Sequence, residues 1–198
     1  MTIAEPAEAI YKERSSKFLT YAYPVESEEE IKLLLDALRK EYYDATHHCY
    51  AYRLGAQGDI YRANDDGEPS GTAGKPILGQ LLSKDITDCL VVVVRYFGGT
   101  KLGVSGLIQA YREAAADVLD SADVVERTVD TVVRVDFSYM VMNDVMRIIK
   151  DESPKVVEQT FDNLCTLTLA IRQSKAEQLL GKLSKVSGAT IEVLENEL

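Results

Sequence analysis

The run CLVVVVRYFGG at positions 89–99 decides the fold. Six apolar side chains in succession at 89–94 predict a strand that is buried on both faces, because a half-exposed strand would alternate apolar with polar residues. Gly98 and Gly99 then predict a turn, and the apolar spacing at 102–119 predicts a long helix after it. The run therefore predicts a domain that mixes helices with a buried sheet.

The residues before this run predict further elements of the same domain. Residues 17–24 and 49–54 have the composition and alternation of strands. Ser27 and Glu30 have the spacing of a capping box, which predicts a helix from there to about Tyr43. Residues 55–74 form a long polar stretch, interrupted by a short possible strand at 60–63, and 77–82 predict a short helix.

The residues after 125 have a different texture. All but two of the 12 glycines precede residue 110, and the later segment alternates short strands with amphipathic helices. The predicted order is β-α-β-β-α-β, which is the order of the ferredoxin-like fold. We therefore predict an α+β protein with two domains, at 1–125 and 126–198. The predicted elements lie at 130–137, 139–150, 156–161, 164–171, from 174 onward, and 189–194.

Three local signals support the pattern of the second domain. Asp162-Asn163 is a two-residue hairpin signal between its middle strands. Ser174 and Glu177 have the spacing of a second capping box. Gly188 stands where a helix C-terminus favours positive φ.

Composition limits the class of function. The chain has 198 residues, 46% of them hydrophobic, and a formal net charge of -10. The longest apolar run is too short to span a bilayer, the N-terminal residues lack the pattern of a signal peptide, and the three cysteines are isolated. We expect a cytoplasmic protein with free thiols. Its acidity opposes charge-driven binding to nucleic acid, so any such site must be local.

The first glycine-rich segment, NDDGEPSGTAGKP at 64–76, runs directly into a predicted helix. Its small residues leave backbone N–H groups open beside a helix N-terminus, near Ser70, Thr72 and Lys75, which is a usual means of holding a phosphate. The spacing is not that of a Walker loop. A tight loop whose Ser and Thr only cap the helix explains the segment equally well.

The second glycine-rich segment, RYFGGTKLGVSG at 95–106, also turns from a strand into a helix. Arg95 and Lys101 supply donors for phosphate, while Tyr96 and Phe97 offer flat faces for a nucleobase. Core packing is the alternative for the two aromatic residues, and strand alternation predicts that one of them points inward. The two glycine-rich segments are expected to face one cleft.

The histidines raise a metal hypothesis. His47 and His48 are the only histidines of the chain, and a divalent ion would need Asp65, Asp66 or Glu68 as further ligands. Adjacent residues of a strand point to opposite faces, so the two histidines do not easily bind one ion. The three acidic residues equally suit a solvated loop edge or ion pairs with Arg95 or Lys101.

Three separated motifs carry a family resemblance. HHCYAYR at 47–53, NDDGEP with GTAGKP at 64–76, and RYFGG with KLG at 95–103 occur in order. The chain resembles the IMPACT family in these motifs. The motif positions are His47, His48, Asn64, Asp65, Asp66, Gly67, Glu68, Gly71, Gly74, Gly98, Gly99 and Gly103.

The resemblance implies a fold and a cellular context. The family's first domain resembles the second domain of ribosomal protein S-five, and the last domain of its bacterial members resembles the RNA-facing fifth domain of elongation factor G. Eukaryotic members resemble translation regulators that bind a ribosome-associated activator of a starvation kinase. For this chain the resemblance implies a translation-linked binding protein.

The leading hypothesis is a non-enzymatic regulator that binds RNA or the ribosome through the glycine-rich segments, with no cofactor, no metal, no catalytic residue and no membrane partner. The candidate nucleic-acid or anion-binding residues are Arg53, Ser70, Thr72, Lys75, Arg95, Tyr96 and Lys101. Two alternatives remain. One is a protein-interaction regulator that uses the exposed edge of the ferredoxin-like sheet. The other is a metal-dependent hydrolase that uses the region of Asp65, Asp66 and His47.

Overall fold

The computed structural model describes residues 1–128, 130–162 and 164–194. The chain is an α+β protein that separates into two compact units, residues 1–127 and 128–198. Among the described residues, no helix combines the length and hydropathy needed to cross a membrane.

Unit 1 is built around a five-stranded antiparallel sheet. Its strands lie in the order β2-β3-β6-β4-β5, and a two-stranded ladder pairs β1 with β7. The strands and helices are β1 (Thr2–Ile3), β2 (Ala7–Glu13), β3 (Ser16–Pro24), α1 (Glu28–Glu41), β4 (His47–Leu54), β5 (Ile60–Asn64), α2 (Gly74–Ser83), β6 (Cys89–Tyr96), α3 (Gly103–Ser121) and β7 (Val124–Val125).

The central strand β6 is buried on both faces, as the valine run predicts. Cys89, Val91 and Val93 face a core that includes α2 and α3, whereas Leu90, Val92 and Val94 face a core that includes α1. All six side chains are fully buried. The sheet therefore lies between two helical layers, because a strand apolar on both sides needs a partner for each face.

The capping signal at the start of α1 is confirmed. Ser27 Oγ accepts a hydrogen bond from the Glu30 N–H at 3.2 Å, and Glu30 Oε2 accepts one from the Glu26 N–H at 2.9 Å. The Glu30 carboxylate thus accepts from Glu26, the residue before the N-cap, and not from the N-cap residue Ser27.

Unit 2 has the predicted ferredoxin-like order. Its antiparallel sheet runs β11-β8-β10-β9, and both helices pack in one core with the inward side chains of the sheet. The elements are β8 (Asp130–Phe137), α4 (Met142–Glu152), β9 (Lys155–Phe161), β10 (Cys165–Arg172), α5 (Gln173–Leu183) and β11 (Ala189–Leu194), with a 3-10 turn at Tyr139–Val141 before α4.

Some local predictions differ from the structure. The second capping box is wrong: strand β10 runs directly into α5, so the cap position is Arg172, no side chain caps the helix, and Ser174 lies inside the first turn. Gly188 has φ +90°, but it lies in the turn before β11, beyond the end of α5. Of the predicted hairpin pair, Asn163 lies outside the described residues. Strand β2 is not predicted, since two of its three inward apolar side chains are alanines.

Candidate functional site

The two glycine-rich segments face one groove. The groove has a volume of about 380 Å³ and lies where β4 begins, β6 ends and α3 begins. We call it the Phe97 groove, and it is lined chiefly by Thr46, His47, Glu68, Pro69, Arg95, Phe97, Lys101, Leu102, Val104 and Leu107. Five of these ten side chains are apolar, so the groove combines a hydrophobic wall with several polar and charged groups.

A buried ion pair forms the floor of this groove. Arg95 is 5% exposed, and its Nη1 donates to Glu68 Oε1, whose residue is 9% exposed. The Tyr111 hydroxyl of α3 donates to the same oxygen at 2.8 Å. Burial of two opposite charges is tolerated only when they pair and are hydrogen-bonded, which these contacts achieve. The pair therefore ties the first glycine-rich segment to β6 and α3.

The groups behind the ion pair stay protonated. Burial, with Cys49 and Glu68 close by, raises the pKa of Tyr111 far above its ordinary value. Burial also raises the pKa of the Cys49 thiol, although the hydrogen bond with Tyr111 opposes this. Because a thiolate is the nucleophilic form of cysteine, Cys49 is a structural thiol rather than a reactive one.

The Arg95 guanidinium also contacts aromatic rings. Its Cζ lies 5.5 Å from the ring centroid of Phe18 and 5.8 Å from that of Phe97. Among the residues that the structure describes, its Nε is buried without a hydrogen-bond partner. Phe97 itself is 49% exposed. Tyr96, by contrast, packs toward the α1 side of the sheet and donates its hydroxyl to Asp44 Oδ1 at 2.8 Å. Strand alternation therefore separates the two aromatic residues, and only Phe97 faces the groove.

The first glycine-rich segment is closed by its own aspartate. Asp65 Oδ2 accepts from the Gly71 N–H at 2.8 Å, and Asp65 Oδ1 accepts from the N–H groups of Ala73 and Gly74 at 3.0 and 2.8 Å. The expectation that these N–H groups are open to a phosphate is wrong, because a carboxylate of the chain already satisfies them at the N-terminus of α2.

Removal of this carboxylate charge is expected to destabilise unit 1. Desolvation raises the pKa of Asp65, but the three N–H groups and Lys75 outweigh it and lower the pKa below its ordinary value. The charged form is therefore the bonded form, and Asp65→Asn should lower the free energy of unfolding at pH 7 by about 1–3 kcal/mol. Urea titration of the variant and the wild type measures this difference.

The difference in unfolding free energy between the wild type and Asp65→Asn should become smaller at low pH. A carboxyl group whose pKa is lowered in the folded state stabilises that state at pH values above its unfolded pKa of about 4. This stabilisation is lost as the pH falls through the pKa of the folded state. The gap between wild type and Asp65→Asn should narrow below about pH 4. A gap that stays constant down to pH 2 would contradict the role of the charge.

The two histidines point to opposite faces of β4, as predicted. His47 Nδ1 donates to the Asp66 carbonyl oxygen at 2.7 Å, and His47 Nε2 lies 3.8 Å from Glu68 Oε1. Asp66 Oδ2 accepts from the backbone N–H of His48 at 2.6 Å. Desolvation lowers the pKa of the His48 ring, although the nearby Asp66 opposes it. These contacts anchor the first glycine-rich segment to the start of β4.

The metal hypothesis finds no support in this arrangement. The Asp65 and Asp66 carboxylates accept backbone N–H groups, and the Glu68 carboxylate pairs with Arg95. Within the described ranges, no three His, Cys, Asp or Glu side chains converge as metal ligands would. Of the alternatives for the acidic residues, an ion pair with Arg95 is the one found for Glu68.

Of the candidate anion-binding residues, Arg95 and Lys101 share the Phe97 groove. Arg53 does not: it is 7% exposed and donates to the Ile86 carbonyl oxygen at 2.9 Å, near the opposite end of β4. Thr72 is 2% exposed and donates its hydroxyl to the Pro69 carbonyl oxygen at 2.6 Å. Both are internal contacts, which corrects their assignment as ligand-binding groups. Ser70 and Lys75 are exposed, and Lys75 lines a different groove.

Sequence reasoning did not identify Tyr111 or Val104. Tyr111 lies on the buried face of α3, where the other side chains are aliphatic. A tyrosine at a core position needs a hydrogen-bond partner for its hydroxyl. Its place on an otherwise aliphatic helix face was therefore a sequence signal for a buried polar contact. Val104, 60% exposed in the first turn of α3, has no comparable signal.

Comparisons with known proteins agree with the fold and the motifs. The Impact N-terminal domain family matches residues 14–119. The IMPACT family member YigZ of Escherichia coli is 30% identical over 196 residues, which cover 98% of this chain and 96% of YigZ. YvyE of Bacillus subtilis is 29% identical over 197 residues, 100% of this chain and 91% of YvyE. The crystal structure of a protein described as hypothetical is 29% identical with a TM-score of 0.70, covering 99% of this chain and 97% of that chain. The chain therefore belongs to the IMPACT family.

Proposed function

We propose that the protein is a non-enzymatic, translation-linked regulator that binds single-stranded RNA, including ribosomal RNA, in the Phe97 groove. The chain belongs to the IMPACT family, whose N-terminal domain matches residues 14–119, and the resemblance to that family implies a translation-linked binding protein. The observation that carries the proposal is an exposed aromatic face, Phe97, beside Lys101 in a groove.

One property of the groove and one of the whole chain favour a single strand over a duplex. Stacking on an aromatic face needs an unpaired base, and Phe97 offers such a face at the rim. Proteins that bind duplexes through phosphates need many cations, whereas this chain carries a net charge of -10. A local site with one aromatic residue and few cations therefore suits a short unpaired segment.

Phe97→Ala is expected to weaken binding of a fluorescein-labelled U12 oligonucleotide by about 5- to 150-fold, because a stacked base contributes about 1–3 kcal/mol. Lys101→Gln should lower the salt slope of the binding constant by about 0.7. Fluorescence anisotropy between 50 and 200 mM salt gives both quantities. Tyr43→Ala is the matched control, because Tyr43 is 84% exposed just after α1, outside the groove.

An unchanged affinity in both groove variants would refute the proposal. Arg95→Ala is not a suitable probe, because it also leaves Glu68 charged and buried. The same variants, run with ribosomes through a sedimentation gradient at low and high salt, extend the test to ribosomal RNA. Salt-sensitive cosedimentation that Phe97→Ala loses is the expected result.

A second candidate is a protein-interaction regulator that uses the edge of β9 that no other described strand pairs with. All seven residues of β9 are exposed, and β10 pairs with one side of the strand. A row of unpaired backbone groups can accept a strand from a partner. The test is capture of a protein partner by the tagged protein after nuclease treatment. Capture that Val157→Lys loses and Phe97→Ala keeps would favour this candidate over the first.

A further inference from the structure

A second groove lies between α2 and α3. It has a volume of about 410 Å³, and we call it the Arg112 groove. Its lining includes two cations and an amide, and no acidic side chain of the described residues lines it. Its lining includes Gly71, Lys75, Pro76, Gln80, Ile108 and Arg112.

The helix α3 connects this groove to the Phe97 groove. Val104, Ile108 and Arg112 are four residues apart, so they form one stripe along the helix. Val104 lines the Phe97 groove, whereas Ile108 and Arg112 line the second one. On the other side, Pro69 lines the first groove and Gly71 the second. The two grooves therefore follow one another along the same face of unit 1.

Unpaired positive charges follow this face. Lys75, Lys101 and Arg112 are exposed, and none of them has an acidic partner within 4.0 Å in the described part of the chain. Two acidic groups of the first glycine-rich segment are already engaged. Glu68 pairs with Arg95, and Asp65, which is close to Lys75, accepts three backbone N–H groups. This face is locally positive on an acidic chain.

We infer that the Phe97 groove and the Arg112 groove form one track for a single-stranded RNA segment, with phosphates at Lys101, Lys75 and Arg112 and a base stacked on Phe97. The inference rests on the proposed function and deepens it. From Gly103 to Arg112 the track follows α3 for about 14 Å, the length of about four stacked nucleotides.

The apolar stripe favours nucleic acid over an extended acidic peptide. A peptide would place backbone N–H and C=O groups against Val104, Ile108 and Pro76, whose side chains offer no hydrogen bonds. The flat faces of bases tolerate such contacts, and unpaired cations suit phosphates along the rim.

The test uses the full chain, labelled U12 and the double variant Lys75→Gln/Arg112→Gln. Loss of two phosphate contacts should lower the salt slope by about 1.4 and the affinity at 0.1 M salt by about 10-fold or more. Lys40→Gln is the matched control, since it removes an exposed positive charge from α1 on the other side of the sheet. Its binding should equal that of the wild type.

The outcomes separate this inference from the function on which it rests. If the double variant binds like the wild type while Phe97→Ala does not, the track is refuted and the Phe97 groove stands. If wild-type protein does not bind U12, both fail. If a hexaglutamate peptide displaces U12 at equal concentration and only in proteins with Lys75 and Arg112 intact, the track holds an acidic protein segment and the RNA assignment is wrong.

Discussion

Glu68→Ala is expected to lower the free energy of unfolding of unit 1 by about 3–5 kcal/mol, the largest single effect we anticipate. The substitution leaves the Arg95 guanidinium charged and 5% exposed, and it removes the carboxylate that pairs with it. It also removes the acceptor of the Tyr111 hydroxyl. Folded domains are stable by only about 5–15 kcal/mol, so the variant should unfold at much lower urea concentration.

A double variant separates the cost of an orphaned charge from the value of the ion pair. Glu68→Leu/Arg95→Met replaces both charges with apolar side chains, and it should recover most of the lost stability. Glu41→Ala, at the exposed end of α1, provides the control for a surface glutamate. Urea titrations followed by circular dichroism give the comparison. A loss below about 1 kcal/mol in Glu68→Ala would show that the pair does not hold the first glycine-rich segment in place.

Gly98→Ala is expected to destabilise unit 1 by about 3 kcal/mol, at the upper end of the usual cost of overpacking. A Cβ at this position would lie 2.0 Å from the Ser15 carbonyl carbon and 2.3 Å from the Ser16 nitrogen. Both are backbone atoms, one in the turn between β2 and β3 and one at the first residue of β3, so no side-chain rotation relieves the overlap. The Gly98 N–H also donates to Ser16 Oγ at 3.2 Å, which fixes this approach.

The matched substitution Gly79→Ala should have the opposite sign. Gly79 lies inside α2, and no atom of the described ranges stands within 4 Å of a Cβ built there. Replacement of a helical glycine by alanine stabilises a helix by about 1 kcal/mol. Thermal unfolding of the two variants compares them directly. A rise in melting temperature for Gly98→Ala would mean that the turn between β2 and β3 moves without cost.

Most of the fold was predictable because its strongest signals are local. The apolar run of β6 predicts burial on both faces, and Ser27 with Glu30 predicts the start of α1. The second capping box fails for a physical reason. Its spacing is the same, but strand β10 continues to Arg172 and leaves no free turn in which Ser174 could act as a cap.

The site was less predictable because its contacts join residues that are distant in sequence. Glu68, Arg95 and Tyr111 come from a loop, a strand and a helix, and only the folded chain shows that they meet. The glycines of the first segment suggested a phosphate cradle. Asp65, whose carboxylate accepts these N–H groups, lies in the same segment. The spacing of the residues does not show where its side chain points.

The Asp65 carboxylate has a further consequence for ligand binding at the start of α2. It is tethered six to nine residues from the N–H groups that it meets, so it competes with dissolved anions as an intramolecular ligand. Tethers of this length give effective concentrations in the millimolar range or above, and a folded loop raises them further. Free phosphate or nucleotide at ordinary cellular concentration would have to outcompete this resident anion. Under the proposed function, we therefore expect ligand selection to depend on the open cations outside the helix terminus, with the closed segment as one wall of the groove.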